Sequence, residues 1–572
     1  MLKTNVSAAL LTLLLAAGCS SHKSALHTAG INPYQYNIQK NITCTHGAVV
    51  SAHPLASEIG VAVIKQGGNA VDAAIATQLA LAVVYPGAGN IGGGGFMVAR
   101  LANGQNVTID FREKAPGSAS RDMYLDKDGN AITSLSLDGH LAAGVPGTIA
   151  GVFTAMKYAK LPLKKLIQPA IDLAEKGFVL TPGEARSLNS IQGALAKYNT
   201  VTPAFVKAGG WKAGDTLVQT DLANTLKRVR DNGQKGFYEG ETARLIVAEM
   251  QRGKGIISLD DLKSYTAKER QPVSFDYKGY TIITMPLPSS GGILLPQMLK
   301  MVADKPLKEY GYSSVQAVQL MTEVERRAYA DRAKYLGDVD FFKVPVTTLT
   351  SDAYAKQRMK DYDPAKAGSS KETQAGLIPE SEETTHLSTY DSEGNAVAVT
   401  TTLNGGYGSR TVVGGAGFFL NNEMDDFSVK PGAPNMYGAV GGAANAIAPG
   451  KRMLSSMTPA IVLKDNKPYL VVGTPGGTTI TTSVFQTLVN ILEFNMSVDD
   501  AVNKPKFHHQ WLPDEIAVEK NFPKDVQEQL QKMGYKITFR GAIGRTEVIR
   551  ILPNGQIEAV GDSRGEDHAA GF

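Results

Sequence analysis

The feature that most constrains the fold is a pair of alternating segments joined by a turn, residues 384–404 (TTHLSTYDSEGNAVAVTTTLN). Turn-forming residues cluster at 391–395 between two period-two patterns, which predicts a β-hairpin. With the turn centred on Glu393, Thr384 lies opposite Thr402. Opposed residues in a hairpin have Cβ atoms about 4.5–5.5 Å apart. The sequence therefore predicts two threonine hydroxyls within reach of each other at the open end of the hairpin.

Alternation also sorts the remaining hairpin side chains onto two faces. One face is polar, and the other is mostly apolar with Thr385 and Thr401 among its members. The polar face carries Thr384, His386, Ser388, Thr400, Thr402 and Asn404, and the apolar face carries Leu387, Val397, Val399 and Leu403. Threonine favours strands in general, so a purely structural role remains open for this segment taken alone. Its polar face, the glycine-rich loops downstream and the segment that precedes it favour a catalytic role.

The preceding segment, residues 364–383, is rich in Lys, Glu, Ser, Gly and Pro, and Leu377 and Ile378 are its only large apolar residues. This composition predicts an exposed, mobile linker, which is where proteolysis or self-cleavage takes place. The whole chain is ordinary for a globular protein, with 43% hydrophobic and 20% charged residues. Its formal net charge of +4 gives no indication of a nucleic-acid partner, and its 2 cysteines exclude a disulfide scaffold.

The N-terminus has the pattern of an export signal. Lys3 precedes an apolar run of 13 residues, 6–18, which is too short to span a membrane and fits the core of a signal peptide. The next residues resemble the lipobox of bacterial lipoproteins, with Cys19 as the lipidated residue. Because Ala16 stands where leucine is usual, ordinary signal-peptidase cleavage remains open. We expect a periplasmic or cell-envelope protein with residues 19–46 as a tether and the lipid as its only membrane contact.

Two generic motifs are excluded by their context. Residues 87–92 match GxGxxG, but a helix is predicted before them and a strand after them, which is the reverse of a dinucleotide site. The neighbouring His508 and His509 would point to opposite faces of a strand and could not easily share a metal ion. The chain also lacks HExxH, GxxxxGK[ST] and GxSxG patterns. We therefore expect neither a metal nor an organic cofactor.

Eight short motifs are distributed over nearly the whole chain. They are GGNAVDAA at 67–74, GNIGGGGFM at 89–97, DFREKAPG at 110–117, PSSGG at 288–292, TTHLS at 384–388, LNNEMDDFS at 420–428, LSSMTP at 454–459 and GTPGG at 473–477. In this combination the chain resembles the bacterial γ-glutamyltransferases of the N-terminal-nucleophile hydrolase superfamily. The resemblance implies an α/β fold, a four-layer αββα sandwich, formed by one precursor that cleaves itself into two intertwined subunits.

The resemblance also implies where the chain is cut and which residues catalyse. The cut falls between Glu383 and Thr384, giving a large subunit of residues 47–383 and a small catalytic subunit of residues 384–572. Thr384 becomes the nucleophile and its new α-amine becomes the general base. Thr402 holds the Thr384 hydroxyl, and the backbone N–H groups of Gly476 and Gly477 form an oxyanion hole. The base that acts before cleavage is not identified by the sequence.

The implied substrates are glutathione and other γ-glutamyl compounds as donors, with water, amino acids or peptides as acceptors. Their α-carboxylate calls for a bidentate arginine, for which Arg112 fits, although an ion pair with Asp110 or Glu113 is an alternative role. The residues implied for the α-ammonium are Asn404, Glu423 and Asp426, those for further carboxylate contacts are Ser455 and Ser456, and Tyr437 forms the wall of a lid at 431–442. Residues 405–407 (GGY) depart from the family pattern on the acceptor side.

Two alternatives remain open at this point. One is a related acylase for glutaryl-type side chains, which the loss of the ammonium-binding carboxylates would favour. The other is a non-catalytic surface lipoprotein that keeps the fold, for which an uncut chain would be the sign.

Overall fold

The computed structural model describes Leu26, Thr28 and residues 30–373, 383–429 and 442–572. Its two large sheets have seven strands each. The strands are β1 (Asn41–Cys44), β2 (Gly47–Ser51), β3 (Gly94–Arg100), β4 (Asn106–Asp110), β5 (Phe178–Val179), β6 (Thr216–Leu217), β7 (Lys268–Arg270), β8 (Val273–Tyr277), β9 (Tyr280–Thr284), β10 (Glu383–Asp391), β11 (Ala396–Asn404), β12 (Ala460–Lys464), β13 (Lys467–Gly473), β14 (Phe507–His508), β15 (Ile516–Val518), β16 (Ile537–Phe539), β17 (Glu547–Ile551), β18 (Ile557–Val560) and β19 (His568–Gly571).

Helices cover the outer faces of the sheets. They are α1 (Pro54–Lys65), α2 (Ala70–Val84), α3 (Thr133–Leu137), α4 (Thr148–Ala155), α5 (Leu163–Lys176), α6 (Pro182–Ser190), α7 (Gln192–Tyr198), α8 (Thr220–Asn232), α9 (Lys235–Tyr238), α10 (Gly240–Gly253), α11 (Leu259–Ser264), α12 (Gly291–Val302), α13 (Leu307–Tyr310), α14 (Val315–Tyr335), α15 (Val346–Leu349), α16 (Asp352–Arg358), α17 (Thr479–Leu492), α18 (Val498–Asn503) and α19 (Lys524–Lys532). Within the described part of the chain, none of these helices is both long and apolar enough to cross a bilayer.

The first sheet, sheet A, has the order β1-β18-β17-β13-β12-β9-β8, and the second, sheet B, has the order β19-β2-β10-β11-β3-β4-β7. Apolar side chains of both sheets meet in one interior cluster that includes Phe96 and Ala398 of sheet B and Ile461 and Ile549 of sheet A. Each large apolar side chain buried in this way stabilises the fold by about 1.5–3 kcal/mol. Helices α1, α2 and α4 pack on sheet B with α5 outside α2, and α12 and α17 pack on sheet A with α14 against α12. The predicted αββα sandwich is confirmed.

The first two helices show how local sequence sets these elements. The pattern of apolar residues predicts two helices separated at 67–69, and the structure has α1 and α2 on either side of that break. Asn69 caps α2, because its side chain accepts a hydrogen bond from the backbone N–H of Asp72 while Asp72 bonds back to the N–H of Asn69. All residues of α2 are buried, so this helix lies wholly inside the protein.

The predicted hairpin is present with the predicted register. Strand β10 pairs with β11 so that Leu387 faces Val399 and Thr384 faces Thr402. The register shifts between Glu383 and Thr384, because Glu383 faces Asn404 and Leu403 is skipped. The apolar face of the hairpin packs against the helices on sheet B, and the polar face points towards sheet A. The hairpin is central in sheet B, with β2 on one side and β3 on the other.

The registers bring many loops to one end of the sandwich, which we call the Thr384 end. Strands β2, β4, β9, β11, β13 and β18 finish at this end, and β3, β10, β12, β17 and β19 begin there. The two sheets are aligned here by contacts between them, since Ser388 donates a hydrogen bond to the carbonyl oxygen of Glu547 (3.3 Å). Residues far apart in sequence therefore meet at the Thr384 end.

Two predicted flexible segments are partly fixed to the body. The last residues of the predicted tether form β1, which pairs with β18 at the edge of sheet A. Before that strand, the hydroxyls of Tyr34 and Tyr36 donate hydrogen bonds to carbonyls near the end of α5 and in β5. The tether prediction fails for these residues, because backbone pairing and tyrosine contacts, which hydropathy does not reveal, hold them on the fold. Residues 1–25 with the predicted signal peptide and Cys19 lie outside the described residues.

The predicted linker is likewise anchored in its first half. The indole N–H of Trp511 donates to the carbonyls of Ser370 (3.0 Å) and Thr373 (2.8 Å), and the backbone N–H of Ser370 donates to Asp514 (2.8 Å). The Ser370 hydroxyl also donates to the carbonyl of Trp511 (2.5 Å). These contacts contradict an exposed, mobile state for this half, because Ser370 and Thr373 are buried. The remainder, 374–382, lies outside the described residues.

Candidate active site

Thr384 and Thr402 form the centre of the site. Both are buried, and Thr402 accepts a hydrogen bond from the backbone N–H of Asn404 (2.7 Å). The side chain of Asn90 fixes this end of β11: its Nδ2 donates to the carbonyl of Thr402 (2.8 Å), and its Oδ1 accepts from the N–H of Gly93 (3.0 Å). The position of the Thr402 backbone is therefore set by a residue of the loop before β3.

His386 lies on the same face as Thr384 but is locked into the interior. Its Nδ1 is 2.8 Å from the Thr400 hydroxyl, and its Nε2 is 3.1 Å from the Ser388 hydroxyl. A side chain at position 473 would collide with the imidazole, so Gly473 of β13 is required to be glycine. Complete burial lowers the pKa of His386 to about 3. His386 therefore has a structural role, in which it packs between the two sheets. It is not a base for the threonine chemistry.

We expect His386 to stay neutral throughout the working range. Its unfolded pKa is about 6.5, so the histidine favours the folded state fully above that pH. This contribution is lost as pH falls from 6.5 towards 3, because only the unfolded chain then binds the proton. Nitrogen NMR of labelled ring nitrogens should show no titration of His386 between pH 8 and pH 5. A titration midpoint near pH 6.5 in the folded protein would contradict this prediction.

Arg112 follows β4 and is the positive centre of a buried cluster. Its Nη1 lies 2.6 Å from a carboxylate oxygen of Glu423, and its Nη2 contacts the carboxylate of Asp426. The guanidinium also donates to the carbonyls of Met453 (3.3 Å) and Leu454 (3.2 Å). The arginine is 1% exposed. Its closest partners are therefore the two acids implied for the substrate ammonium. Of the two alternative ion pairs, the one with Glu113 is present at 3.6 Å, whereas the Asp110 carboxylate accepts from the backbone N–H of Arg112 (2.9 Å) and pairs with Arg270.

Glu113 is a third acid close to Arg112. Its carboxylate is fully buried, lies 3.6 Å from Arg112 Nη1 and has no hydrogen-bond partner in the described part of the chain. Burial raises the pKa of Glu113 to about 8, although Arg112 opposes the shift. Arg112 is thus contacted by Glu423 and Asp426, with Glu113 beside it as the acid whose pKa is raised. The cluster offers acids to an ammonium group and a guanidinium to a carboxylate.

Asn404 connects the hairpin to this cluster. The residue has φ +74°, a left-handed conformation, and its Nδ2 donates to the carbonyl of Asn422 (2.9 Å). The side chain of Asn422 in turn accepts from the N–H of Gly405 (2.7 Å). Because Asn422 immediately precedes Glu423, these bonds hold the acidic turn Glu423–Asp426 against the end of β11.

Ser455 and Ser456 directly follow the carbonyls that bind Arg112. Both are buried, and Ser455 Oγ accepts from the N–H of Met457 (3.2 Å). Ser456 Oγ has no hydrogen-bond partner among the described residues. A buried hydroxyl without a partner costs stability, and such groups in native structures are often explained by a ligand that supplies the bond. The loop therefore presents a spare donor beside the arginine.

Gly476 and Gly477 lie in the loop between β13 and α17. Their φ values of +133° and +56° fall in the region that favours glycine. Neither N–H donates to a protein acceptor in the described ranges, whereas the carbonyls of both accept from the first turn of α17. Two unused backbone donors beside the N-terminus of a 14-residue helix form a favourable setting for a developing negative charge.

The contacts thus bring together most of the residues singled out in the sequence, all at the Thr384 end. Tyr437 lies outside the described residues, as does the side chain of Glu383. Sequence reasoning missed Asn90 and named Glu113 only as a possible ion-pair partner of Arg112, although both lie within the motifs at 89–97 and 110–117. Their signal was a polar residue inside an otherwise buried, glycine-rich or apolar context. No group of three metal-binding side chains occurs in the parts of the chain that the structure describes.

Comparison with known proteins places this site in a family. The family model described as Gamma-glutamyltranspeptidase matches residues 56–572. The glutathione hydrolase proenzyme of Escherichia coli (strain K12) is 47% identical to this chain, with 98% of each chain covered. The solved γ-glutamyltranspeptidase of Helicobacter pylori is 45% identical, with a TM-score of 0.56 over 60% of this chain and 97% of the other.

An acylase structure shares the whole architecture. The cephalosporin acylase from Bacillus halodurans is 27% identical, with a TM-score of 0.83 over 94% of this chain and 98% of the other. The family model, the extent of the match to the E. coli proenzyme and the shared sandwich agree with the resemblance that the motifs indicated. The chain therefore belongs to the γ-glutamyltranspeptidase family.

Proposed function

We propose that this protein is a self-processing γ-glutamyltransferase that acts on glutathione and related γ-glutamyl compounds. The observation that carries the proposal is the Thr384–Thr402 pair beside a buried arginine with two carboxylates. That cluster offers a guanidinium to the carboxylate and two acids to the ammonium of a γ-glutamyl donor. The enzymes at 45–47% identity are named glutathione hydrolases, which agrees with the same activity.

Self-cleavage would precede catalysis. The Thr384 hydroxyl attacks the carbonyl carbon of Glu383, the peptide C–N bond breaks, and the chain is transferred from nitrogen to oxygen. Water then hydrolyses this ester and leaves a Glu383 carboxylate and a free α-amine on Thr384. The amine has a reference pKa of about 7.7–8.0, close to the pH at which a general base is most effective. The register shift between Glu383 and Thr384 supports this cut site, because the strand is irregular at the proposed bond.

Turnover would follow a two-step acyl transfer. The α-amine accepts the proton of the Thr384 hydroxyl, whose oxygen attacks the γ-carbonyl of the donor, and the N–H groups of Gly476 and Gly477 stabilise the oxyanion. Arg112, Ser455 and Ser456 hold the donor carboxylate. Its ammonium is held by Asn404, Glu423 and Asp426. The amine of the donor leaves with a proton, and water or an acceptor amine then opens the threonine ester.

The deciding experiment is the intact mass and N-terminal sequence of the purified protein. We expect a fragment of 189 residues that begins Thr-Thr-His-Leu-Ser, together with turnover of a γ-glutamyl anilide. Active protein that contains only an uncut chain would refute self-processing, and an uncut inactive chain would favour the non-catalytic alternative.

The similarity to an acylase suggests a second candidate function, the cleavage of glutaryl-type amides. A glutaryl donor has the carboxylate for Arg112 but no ammonium, so it would compete with Glu423 and Asp426 for Arg112 and bring no cation to them. We expect the kcat/KM for glutaryl-p-nitroanilide to be roughly 10–100-fold below that for γ-glutamyl-p-nitroanilide, which corresponds to about 1.4–2.7 kcal/mol. Parallel initial-rate measurements with both anilides test this expectation. Equal values would shift the assignment to an acylase.

We expect the linker anchor to support self-cleavage. Changing Trp511 to phenylalanine removes the N–H that satisfies two carbonyls, which costs about 1–3 kcal/mol. Processing should then slow about tenfold, because the segment that leads to Thr384 is no longer anchored at Ser370 and Thr373. The kcat of the cleaved protein should stay the same. A time course of subunit appearance on denaturing gels measures this effect. Trp211→Phe is the control, because the indole N–H of this second tryptophan donates to the Phe205 carbonyl (2.7 Å) and has no contact with the linker among the described residues. Identical time courses for the two variants would contradict the anchor.

The location outside the cytoplasm is also part of the proposal. The apolar run at 6–18 and Cys19 support export and lipid attachment to the cell envelope, with cleavage by ordinary signal peptidase as the alternative. Metabolic labelling with a palmitate analogue should mark the parent protein and fail for Cys19→Ser. Label retained by that variant would reject the lipid anchor.

A further inference from the structure

A cavity of about 680 Å³ lies at the Thr384 end and is not used by the donor cluster. Its walls come from both sides of the predicted cut. The loop after α2 and helix α6 form one wall, and residues 405–407 with the segments around Arg545 and Glu566 form the other. The volume is within the range of about 300–1,000 Å³ that is usual for small-molecule sites.

The cavity and the donor cluster lie on opposite sides of Thr384. In sheet B, Arg112 follows β4, two strands beyond β11, whereas Glu566 precedes β19, two strands beyond β10 in the other direction. Gly405 in the cavity wall is the next residue after Asn404, which faces Glu383 across the hairpin.

The second wall also borders the oxyanion loop. Arg545 lines the cavity, and its backbone N–H donates to the hydroxyl of Thr474 (2.7 Å), two residues before Gly476. A Cβ on Gly476 would lie 3.3 Å from the Cα of Gly544, the neighbour of Arg545. The cavity therefore borders, through Arg545 and its neighbour Gly544, the loop that carries Gly476.

Most charges in the walls are already paired. Glu184 lies 3.0 Å from His53, and Glu566 accepts from the Thr181 hydroxyl (2.7 Å). Arg545 binds Asp567 through two nitrogens, and Arg564 binds Glu519.

Arg186 differs from these residues. It is exposed on α6 in the cavity wall and makes no hydrogen bond or ion pair with the described part of the protein. The cavity therefore offers an uncommitted cation to a ligand. A carboxylate is its natural partner, since a guanidinium can donate two parallel hydrogen bonds to one carboxylate.

We propose that this cavity binds the acceptor of the transfer reaction, an amino acid or short peptide whose carboxylate pairs with Arg186. The proposal rests on the proposed function. With the γ-glutamyl group held on the Arg112 side, the incoming amine must approach the ester from the other side. The neutral amine nitrogen attacks the ester carbonyl, the bond from that carbon to Thr384 Oγ breaks, and the proton of the amine passes to the threonine oxygen through its α-amine. A new amide and a free Thr384 hydroxyl result.

The test compares transfer with hydrolysis in the full-length processed enzyme. The donor is γ-glutamyl-p-nitroanilide, and the acceptors are glycylglycine and its C-terminal amide at concentrations well below saturation. In Arg186→Glu the ratio of transfer to hydrolysis with glycylglycine should fall about tenfold, which is 1.4 kcal/mol. The ratio with the amide acceptor should not fall, because that acceptor has no carboxylate to repel.

Arg244→Glu is the matched control, because Arg244 is an exposed helical arginine of α10 whose one ion pair among the described residues is with Glu241. Its transfer-to-hydrolysis ratio should equal that of the parent. An unchanged ratio in Arg186→Glu, or the same fall with both acceptors, would overturn the proposal. A parent enzyme that hydrolyses the donor but transfers to no dipeptide would also overturn it and leave the proposed hydrolase function standing, whereas absence of hydrolysis would refute the function itself.

Discussion

Thr384→Ala should remain a single uncut chain and lose turnover of γ-glutamyl anilides. The variant lacks the oxygen that attacks Glu383 in self-cleavage and the donor in catalysis, so both reactions stop at their first step. Loss of a nucleophile lowers kcat by on the order of 10⁶ in well-studied hydrolases. Denaturing gels report the cut, and release of nitroaniline reports turnover. A variant that still splits and still turns over the anilide would exclude the threonine mechanism.

The neighbouring threonine provides the control. Thr385 is also buried in β10, but its hydroxyl points to the apolar face and has no hydrogen-bond partner among the described residues. Thr385→Val keeps the shape and removes the hydroxyl, so the chain should still be processed. Loss of processing in both variants would indicate a general requirement of the strand and not the chemistry of one hydroxyl.

Arg112→Lys should lower kcat/KM for γ-glutamyl donors by roughly 100–1,000-fold. Lysine keeps the charge but cannot bind a carboxylate through two parallel N–H groups, and it leaves Glu423 or Asp426 without its partner. Losing one partner of a buried pair costs about 3–5 kcal/mol, of which part appears as lost stability. Steady-state kinetics and thermal unfolding must therefore be measured together.

Arg100→Lys separates the two effects. Arg100 is also a buried arginine, but it ends β3 at the far end of the sandwich, where it binds Asn106 and Asn466. We expect a smaller loss of thermal stability, because these partners are neutral, and a kcat/KM within about threefold of the parent. If Arg112→Lys retained the full kcat/KM, Arg112 would be a structural residue and the donor carboxylate would bind elsewhere.

The hairpin was predictable because its information is local. Alternation and a turn cluster fix both register and faces, so the Thr384–Thr402 pair follows from counting residues. The gathering of Arg112, Glu423 and Ser456 was indicated only by the family motifs, since hundreds of residues separate them and no periodic pattern connects them. The pairing of Arg112 with Glu423 and Asp426 could not be foreseen, because in the sequence Asp110 and Glu113 are nearer.

The anchored segments show a further limit of composition. Residues around Ser370 have the polar, small-residue pattern of a linker, yet Trp511 and Asp514, about 140 residues later, bind their backbone. Backbone hydrogen bonds depend little on side-chain character, so a polar segment can be fixed wherever a distant donor fits. The same reason explains why Asn41–Cys44 pairs as an edge strand.

The strand order of the two sheets has a consequence for the lifetime of the cut protein. In sheet B the hairpin β10-β11 of the small subunit lies between β2 and β3 of the large subunit. In sheet A the strands β12, β13, β17 and β18 of the small subunit lie between β1 and β9, which both precede the cut. Once the Glu383–Thr384 bond is gone, neither piece retains a complete sheet, and separation would require breaking ladders on both sides of each piece. Denaturation should then be a one-way event, because the covalent link that guided assembly no longer exists, and survival of the enzyme is governed by its rate of unfolding.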